Sequence, residues 1–285
     1  MTRAVGRVAL FTHRSASETA DAVARVLEVT RESNVEVCAR QEEIDKHGLG
    51  GSTTPLAADA FAEVDLALVL GGDGTILSAL RALAGRDVPV FAVNFGAIGF
   101  LATIERDELD EGLRRALAGD FDLLRMPALV CSSDGSKLHA VNDVSLNRAA
   151  QARVAELAYA VGGVQLAKVR CDGLVAATPA GSTGYNLANG GPVLAWGVAG
   201  FVVSFIAPHS LTARPLVVAT DSVLEVTNLS RGEAVDVSVD GRIVGALEPD
   251  RALTVAFEHD QVLLAQLPGS SFYKRLGEKF GRLAY

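Results

Sequence analysis

The chain is poor in aromatic residues and in positive charge. Aromatic residues make up 6% of its 285 residues, and only one is tryptophan. Lys and Arg total 26 against 34 Asp and Glu, so the formal net charge is −8. A broad nucleic-acid-binding surface needs a clustered excess of Lys and Arg. The composition therefore argues against a nucleic-acid partner, while a small anionic ligand held by a few local basic groups stays open.

Cysteine and long apolar runs are also scarce. The three cysteines, Cys38, Cys131 and Cys171, are odd in number and have no CxxC metal spacing. We interpret them as reduced thiols of a cytoplasmic protein. No run of about 20 apolar residues exists, so we expect no membrane span. The apolar run near Met1 is too short for a signal peptide.

Strand and helix patterns alternate in the first part of the chain, where Val, Leu and Ala abound. The patterns predict buried strands over 7–13, 35–40, 65–70 and 88–94, and helices over 18–29, 75–85 and 106–119. Ser15 and Glu18 have the spacing of a capping box at the first helix. Alternating strands and helices predict βαβ units, and therefore an α/β domain with a parallel, Rossmann-like sheet.

The pattern changes after residue 122. Segment 127–148 predicts a hairpin with Asp134-Gly135 in its turn, and the short strands that follow predict an all-β domain. The amphipathic segment 271–283 predicts a helix that packs back on the first domain. We therefore expect an α/β domain over 1–122, completed by 266–285, and an all-β domain over 123–265.

The stretch GGDGT (71–75) places three glycines and one carboxylate between a strand and a helix. Glycines let backbone N–H groups approach a ligand closely, and a helix N-terminus favours phosphate. Asp73 repels phosphate unless it binds Mg²⁺, orients a hydroxyl or accepts a proton. The alternative is a tight turn in which Asp73 caps the helix. The Lys of a GxxxxGK[ST] loop is missing.

Three further stretches combine glycines or small polar residues in a similar way. They are VNFGAIGFLATI (93–104), AVNDVSLNR (140–148) and CDGLVAATPAGSTGYNLANGGPVL (171–194). The first follows a strand that we expect beside 65–70, so its loop and GGDGT line one edge of the sheet. Asn142 and Asp143 suit the adjacent hydroxyls of a ribose, although a polar turn also explains them.

The stretch 171–194 has two other interpretations. The alternatives to a ligand-binding role are a Gly-rich surface loop and a catalytic-serine elbow around AGSTG. The elbow motif GxSxG has glycine where this chain has Ala180, and an obvious histidine partner is missing, since His209 and His259 are only distant candidates.

Together the four stretches resemble the NAD kinase family. GGDGT, NxGxxGFL (94–101), the Asn-acidic pair and DGLxxxTPxGSTxYxLxxGGP (172–192) occur in the family's order, followed by a terminal SFYxRLxxKF helix. GGDGT alone is less specific, because lipid kinases share it and phosphofructokinases carry a close variant. The long TPxGSTxY block is the specific part.

The resemblance implies ATP-dependent phosphorylation of the 2′-hydroxyl of the adenosine ribose of NAD⁺, giving NADP⁺, with Mg²⁺ or another divalent cation and no metal-ligand residues of its own. It implies that Asp73 acts on the accepting hydroxyl as a base or as an orienter. It also implies a homodimer or homotetramer. The binding residues that it implies are Gly72, Gly74, Asn94, Gly96, Phe100, Asn142, Asp143, Arg153, Arg170, Asp172, Thr183, Gly184, Tyr185, Asn186, Leu187, Ala188 and Arg242.

Roles within that set differ. The resemblance places Gly72 and Gly74 at the phosphates, Asn142 and Asp143 at the adenosine ribose, Thr183 to Ala188 at the adenine and ribose, and Asp172 at the nicotinamide end. Ala97, Asp143, Gly184 and Asn186 depart from the family's usual residues. These departures leave the choice between ATP and polyphosphate, and between NAD⁺ and NADH, open. The alternatives are a lipid or sugar kinase that shares GGDGT and a non-catalytic dinucleotide sensor.

Overall fold

The computed structural model describes residues 5–57, 60–96, 99–133, 136–149 and 154–283. The chain divides into two compact units. Met1–Arg125 and Gln261–Tyr285 form the first, and Met126–Asp260 form the second. Across the described ranges, no helix has both the length and the apolar character that a membrane crossing requires.

The first unit is built on a parallel sheet, as the alternating patterns predict. Its strands follow the order β5-β4-β1-β2-β3, with β6 beside β5, and every one of these pairs is parallel. Strands β4 and β5 are buried over their whole length, which is typical of a sheet covered on both faces. The strands are β1 (Arg7–Thr12), β2 (Glu36–Ala39), β3 (Thr54–Pro55), β4 (Leu66–Gly71), β5 (Pro89–Asn94) and β6 (Ile104–Glu105).

Helices α1 (Ala20–Glu32), α2 (Gln41–His47), α3 (Asp73–Ala82) and α4 (Leu109–Leu117) belong to the first unit. The predicted capping box at Ser15 is wrong. A short 3-10 turn covers Ala16–Glu18, and the Ser15 hydroxyl pairs with that of Ser17 at 3.0 Å instead of capping. A capping box does occur before α4, between Glu105 and Glu108.

The second unit is antiparallel, in agreement with the predicted all-β domain. One sheet has the order β14-β13-β12-β9-β16-β17, and β11, β10 and β15 are neighbours in another. The strands are β7 (Asp122–Ser133), β8 (Ser136–Ala140), β9 (Asp143–Arg148), β10 (Ala155–Val161), β11 (Val164–Cys171), β12 (Gly173–Ala177), β13 (Gly200–Ile206), β14 (Leu216–Ala219), β15 (Leu224–Asn228), β16 (Val235–Val239) and β17 (Arg242–Leu247). One apolar core joins the two sheets, with Leu174 and Phe201 from the first and Leu157 and Val226 from the second.

The predicted hairpin over 127–148 is confirmed in its first part only. Strands β7 and β8 pair antiparallel from Leu129↔Ala140 to Ser133↔Ser136, whereas β9 joins the other sheet beside β12 and β16. The predicted turn residues Asp134 and Gly135 lie outside the described residues. The short helix α5 (Tyr185–Ala188) follows β12.

The last part of the chain returns to the first unit. In β18 (Ala252–Gln266), Leu263 and Leu264 pair in parallel with Pro89 and Val90 of β5. Helix α6 (Phe272–Leu283) then packs on this unit, where Lys279 bonds Glu105. The prediction of a terminal helix that docks on the α/β domain is confirmed. The three cysteines are buried free thiols.

Candidate nucleotide site

The loops that follow β4 and β5 lie against each other through glycine. A Cβ atom built on Gly96 would lie 3.1 Å from the Cα of Gly72, and one built on Gly72 would lie 3.4 Å from the Cα of Gly96. A side chain at Gly96 would therefore press on the Gly72 backbone, and the absence of side chains at both residues lets the two loops lie this close. Because β4 and β5 are adjacent parallel strands, both loops leave the same edge of the sheet, where open α/β sheets bind their ligands.

Asp73 ties these two loops together. It is the first residue of α3, and its carboxylate accepts the backbone N–H groups of Phe100 and Leu101, each at 3.2 Å. Burial raises the pKa of the Asp73 carboxyl, while the two N–H groups and the charges of Lys279 and Arg275 oppose the rise. Asp73 does not cap α3 as the turn interpretation requires, because Gly72 occupies the N-cap position and the Asp73 carboxylate bonds the backbone of Phe100 and Leu101 instead.

Asn94 builds the loop from inside. Its Oδ1 accepts the Gly96 N–H at 2.9 Å, and its Nδ2 donates to Glu105 Oε2 at 2.8 Å. A Cβ on Gly99 would lie 2.9 Å from the Asn94 side chain. Asn94 is buried, so its contacts in this structure are with the protein. Its role as a ligand contact stays a prediction.

A cavity of about 660 Å³ opens at this sheet edge. Gly72, Gly74 and Gly96 line it together with basic residues that the sequence analysis did not single out, namely His13, Arg14, Arg40 and Lys46. Lys46 donates to the His13 carbonyl at 2.9 Å and pairs with Glu43 at 2.8 Å. A sequence signal existed: Arg40 directly follows β2, and Arg14 lies two residues after the end of β1, at the edge where these strands end.

In the second unit, Asp240 fixes the backbone around Asn142. Its carboxylate accepts the N–H groups of Val141, Asn142 and Asp143 at 3.1, 2.7 and 3.0 Å. Asp240 has φ of 46° and Gly241 has φ of 73°, so the turn holds left-handed backbone at both residues. This role was not predicted from the sequence, in which the Asp-Gly pair before Arg242 is the available signal.

The side chains of Asn142 and Asp143 differ in how they are satisfied. Asp143 is 6% exposed, and burial, followed by the negative charge of Asp240, raises its pKa to about 7. Among the described residues, the buried Oδ1 of Asn142 has no hydrogen-bond partner. A buried acceptor without a donor costs free energy. The pair thus presents one unsatisfied acceptor and one carboxyl that titrates near neutrality.

The TPxGSTxY block packs against Asn142. A Cβ on Gly181 would lie 2.0 Å from the Asn142 carbonyl oxygen. Thr178, Ser182 and Asn186 are fully buried, so the block is not a surface loop. The Ser182 hydroxyl donates to the Pro179 carbonyl at 2.7 Å and accepts the Leu194 N–H at 2.9 Å. A serine held in this way is not an exposed nucleophile, which removes the elbow interpretation.

Two family models match the chain over most of its length. The ATP-NAD kinase N-terminal domain matches residues 5–121, and the ATP-NAD kinase C-terminal domain matches residues 141–266. The chain belongs to the ATP-NAD kinase family.

Curated relatives agree with this assignment. The NAD kinase of Syntrophotalea carbinolica is 36% identical over 223 residues, which are 76% of this chain and 78% of that protein. The NAD kinase of Geobacter sp. strain M21 is 42% identical over 197 residues, 67% of each chain. The family resemblance that the motifs predict is therefore confirmed.

Solved structures share the fold. A crystal structure of an NAD kinase from Archaeoglobus fulgidus in complex with ATP has a TM-score of 0.77 and 25% identity, and covers 98% of both chains. A crystal structure of yeast NADH kinase complexed with NADH has a TM-score of 0.89 and 22% identity, covering 98% of this chain and 88% of that chain. The α/β and all-β architecture is thus that of ATP-NAD kinases.

The remaining predicted site residues lie in the second unit, except Phe100, which lies in the first. Tyr185, 40% exposed, pairs its hydroxyl with Asn147 Oδ1 at 3.1 Å, and burial and the charges of Asp143 and Asp172 raise its pKa. Asp172 pairs with Arg148 at 2.9 Å. The Thr183 hydroxyl donates to the Ala180 carbonyl. Phe100, in the first unit, packs edge to face on Phe280, with ring centres 6.2 Å apart.

The other predicted binding residues differ in their exposure to solvent. Gly184, Ala188, Arg170 and Arg242 are exposed, and Leu187 is half-buried. Asn186 is buried, and its Nδ2 donates to the carbonyls of Ser182 and Pro192 at 2.9 and 3.0 Å. Its amide therefore holds the turn, and its predicted ligand contact stays a prediction. Arg153 lies outside the described residues.

Proposed function

We propose that this chain is an NAD kinase that transfers the γ-phosphoryl group of ATP to the 2′-hydroxyl of the adenosine ribose of NAD⁺. The observation that carries the proposal is the placement of Asp73. Its carboxylate lies at the start of α3, between two glycine loops at the ligand-binding edge of a parallel sheet.

The cavity beside Gly72 suits the donor. Phosphate groups bind at helix N-termini and beside cations, and the cavity lies at the start of α3 with Arg14, Arg40 and Lys46 in its wall. Phosphoryl transfer depends mainly on positioning and on stabilising charge, which these groups supply. We propose that they bind the triphosphate.

We propose that Mg²⁺ arrives as part of the substrate, MgATP, because phosphate oxygens are ligands that Mg²⁺ prefers. Its role is to neutralise charge on the phosphoryl group. Among the described residues, no cluster of three or more His, Cys, Asp or Glu side chains forms a metal site.

Asn142, Asp143 and Tyr185 suit the acceptor. The unsatisfied Oδ1 of Asn142 matches a donor such as an exocyclic amine of a base. Asp143 offers a carboxyl for ribose hydroxyls, and the exposed Tyr185 ring offers a stacking surface. We propose that they hold NAD⁺, with Asp172 at the nicotinamide end and Arg153, Arg170 and Arg242 on the dinucleotide.

In the proposed step, the ribose 2′-oxygen forms a bond to the γ-phosphorus as the bond from that phosphorus to the bridging oxygen breaks. ADP leaves, and Asp73 takes the hydroxyl proton. Each oxygen of the Asp73 carboxylate accepts one backbone N–H and keeps acceptor capacity for the hydroxyl. Its raised pKa brings it closer to the range where a general base is effective.

The wider setting of this function is also a proposal. We propose that the first unit binds the donor nucleotide and the second binds NAD⁺. We further propose that the protein works in the cytoplasm in NADP biosynthesis, as a homodimer or homotetramer.

One assay tests the function. Purified protein receives NAD⁺, ATP and Mg²⁺, and an NADP-specific dehydrogenase reads the product, which it accepts only if the phosphate is on the 2′-position. We expect NADP⁺ formation that requires both substrates. Binding of NAD⁺ without any NADP⁺ formation contradicts the proposal and favours the dinucleotide sensor. Exchanging NAD⁺ for NADH, and ATP for polyphosphate, settles acceptor and donor preference in the same format.

A further inference from the structure

Arg275 of helix α6 contacts the loop whose backbone N–H groups bond Asp73. Its Nη1 donates to the Phe100 carbonyl at 2.8 Å and also to the Ala102 carbonyl, and its Nη2 donates to Gln266 Oε1 at 2.6 Å. The guanidinium is therefore held by three acceptors, two of which are backbone atoms of the loop. Because the guanidinium is planar and rigid, such a set of bonds fixes orientation as well as distance.

The Phe100 carbonyl and the Leu101 N–H belong to one peptide group. Arg275 holds the carbonyl end, and Asp73 accepts the N–H end at 3.2 Å. Since the peptide is planar and trans, fixing the direction of the carbonyl also fixes the direction of the N–H. The bond to Ala102 works in the same way two peptides further on, because one peptide group joins the Ala102 carbonyl to the Thr103 N–H, which donates to the Ala92 carbonyl of β5 at 2.7 Å.

A second contact from α6 supports the same loop. Lys279 is 7% exposed, and its Nζ lies 3.0 Å from Glu105 Oε1. The other oxygen of Glu105 accepts from Asn94, and Asn94 in turn accepts the Gly96 N–H. Helix α6 thus supports the loop at two points. Arg275 bonds it directly at Phe100, and Lys279 acts on Gly96 through Glu105 and Asn94.

We propose that Arg275 is a positioning residue for the Asp73 carboxylate, acting through the peptide that joins Phe100 and Leu101. This inference rests on the function proposed above. The charged groups that act on Asp73 are Arg275 and Lys279, both on α6, while Glu105 and Glu278 lie close to Arg275. Arg275 therefore aims the carboxylate and also favours its ionised form.

The test compares Arg275→Met, Arg275→Lys and the control Lys274→Met, which removes one exposed cation from the same helix. We expect Arg275→Met to lower kcat by about 10-fold to 10²-fold, as loss of alignment does, with the KM for NAD⁺ little changed. The acidic limb of the pH profile of kcat shifts to higher pH, because the Arg275 charge that favours the ionised Asp73 carboxylate is gone. Arg275→Lys restores the position of that limb but only part of kcat, and Lys274→Met matches the unsubstituted protein.

A double-mutant cycle with Asp73→Asn asks whether Arg275 acts through Asp73. If it does, adding Arg275→Met to Asp73→Asn lowers the residual rate little further. Independent effects that multiply overturn the proposal, and so does an unchanged kcat in Arg275→Met.

Hydrogen exchange of the Phe100 and Leu101 amides, measured without substrates, separates this inference from the proposed function. We expect faster exchange in Arg275→Met and unchanged exchange in Lys274→Met. Unchanged exchange in Arg275→Met overturns the positioning role even if the enzyme is active. Absence of NADP⁺ formation by the unsubstituted protein overturns the proposed function but leaves the exchange result standing. If Arg275→Met does not fold, Arg275→Lys carries the exchange and pH measurements.

Discussion

Asp73 in the first unit and Asp143 in the second are both carboxyl groups whose pKa burial raises, but their neighbours act on them in opposite ways. Asp73 accepts two backbone N–H groups and lies near the cations Arg275 and Lys279. Asp143 has the anion Asp240 as its charged neighbour. Different surroundings give two carboxyl groups different chemical roles. Asp73 suits proton acceptance, whereas Asp143 suits hydrogen bonding in a form that changes near neutral pH.

Among the substitutions that test the different roles of Asp73 and Asp143, Asp73→Asn has the largest expected effect. Loss of a general base typically lowers the rate by about 10²-fold or more, so we expect at least that fall in kcat while NAD⁺ binding, measured by calorimetry, persists. The control Asp87→Asn removes an exposed carboxylate from the same unit. Near-normal turnover in Asp73→Asn rejects the base role and leaves Asp73 only as an orienter.

The glycines of the two units differ in how tightly they are enclosed, which Gly181→Ala and Gly96→Ala compare. The new Cβ lies 2.0 Å from the Asn142 carbonyl oxygen at Gly181, and 3.1 Å from the nearest atom, the Gly72 Cα, at Gly96. Overpacking of this kind typically costs about 1–3 kcal/mol. We expect urea unfolding to show the larger loss for Gly181→Ala, together with a raised KM for NAD⁺. Gly50→Ala, which has no atom within 4 Å, is the control.

The acidity of Asp143 predicts a pH-dependent stability. Because its pKa is raised to about 7 in the fold, the folded state holds the proton more tightly than the unfolded chain, and the resulting stability is lost as pH rises from about 4 to about 7. We expect Asp143→Asn to remove this loss. Its unfolding free energy relative to the unsubstituted protein then rises by about 2 kcal/mol between about pH 5.5 and pH 7.5. A pH-independent difference contradicts the raised pKa, and Asp221→Asn, at an exposed site, controls for general charge effects.

The smallest effect belongs to the Arg148–Asp172 ion pair. The two charges lie 2.9 Å apart, and their side chains are 34% and 35% exposed. Pairs this accessible to water contribute less than about 1 kcal/mol. We expect Arg148→Met to change unfolding in urea by no more than that. A larger loss shows that the pair stabilises the second unit.

The sequence predicts the features that depend on local pattern. Continuous apolar runs bounded by glycine identify β4 and β5, and the glycine loops after them locate Asp73. Helix α2 has no such pattern, since Glu43 and Ile44 are its only buried residues. Its residue Lys46 consequently escaped the sequence analysis, although it lines the cavity beside Gly72.

Residues whose partners are backbone atoms far along the chain could not be found in this way. Arg275 bonds the Phe100 carbonyl across 175 positions, and Asp240 bonds the Asn142 N–H across 98. Backbone acceptors and donors are the same at every residue, so the sequence around them carries no mark of such a contact. Asn186 shows the opposite case. It lies in a motif typical of ligand binding, but its Nδ2 donates to two backbone carbonyls of the protein.

The first unit is assembled from two separated pieces of the chain, Met1–Arg125 and Gln261–Tyr285, whereas the second is one continuous piece. During synthesis on the ribosome, Met126–Asp260 is therefore complete before Arg275 and Lys279 have been made. Contacts between distant segments form late, after the entropy of the intervening loop has been overcome. The peptide that holds Asp73 gains its support from α6 only after Gln261–Tyr285 has been made, so a nascent chain that stops before α6 has every catalytic motif and an unsupported Asp73 loop.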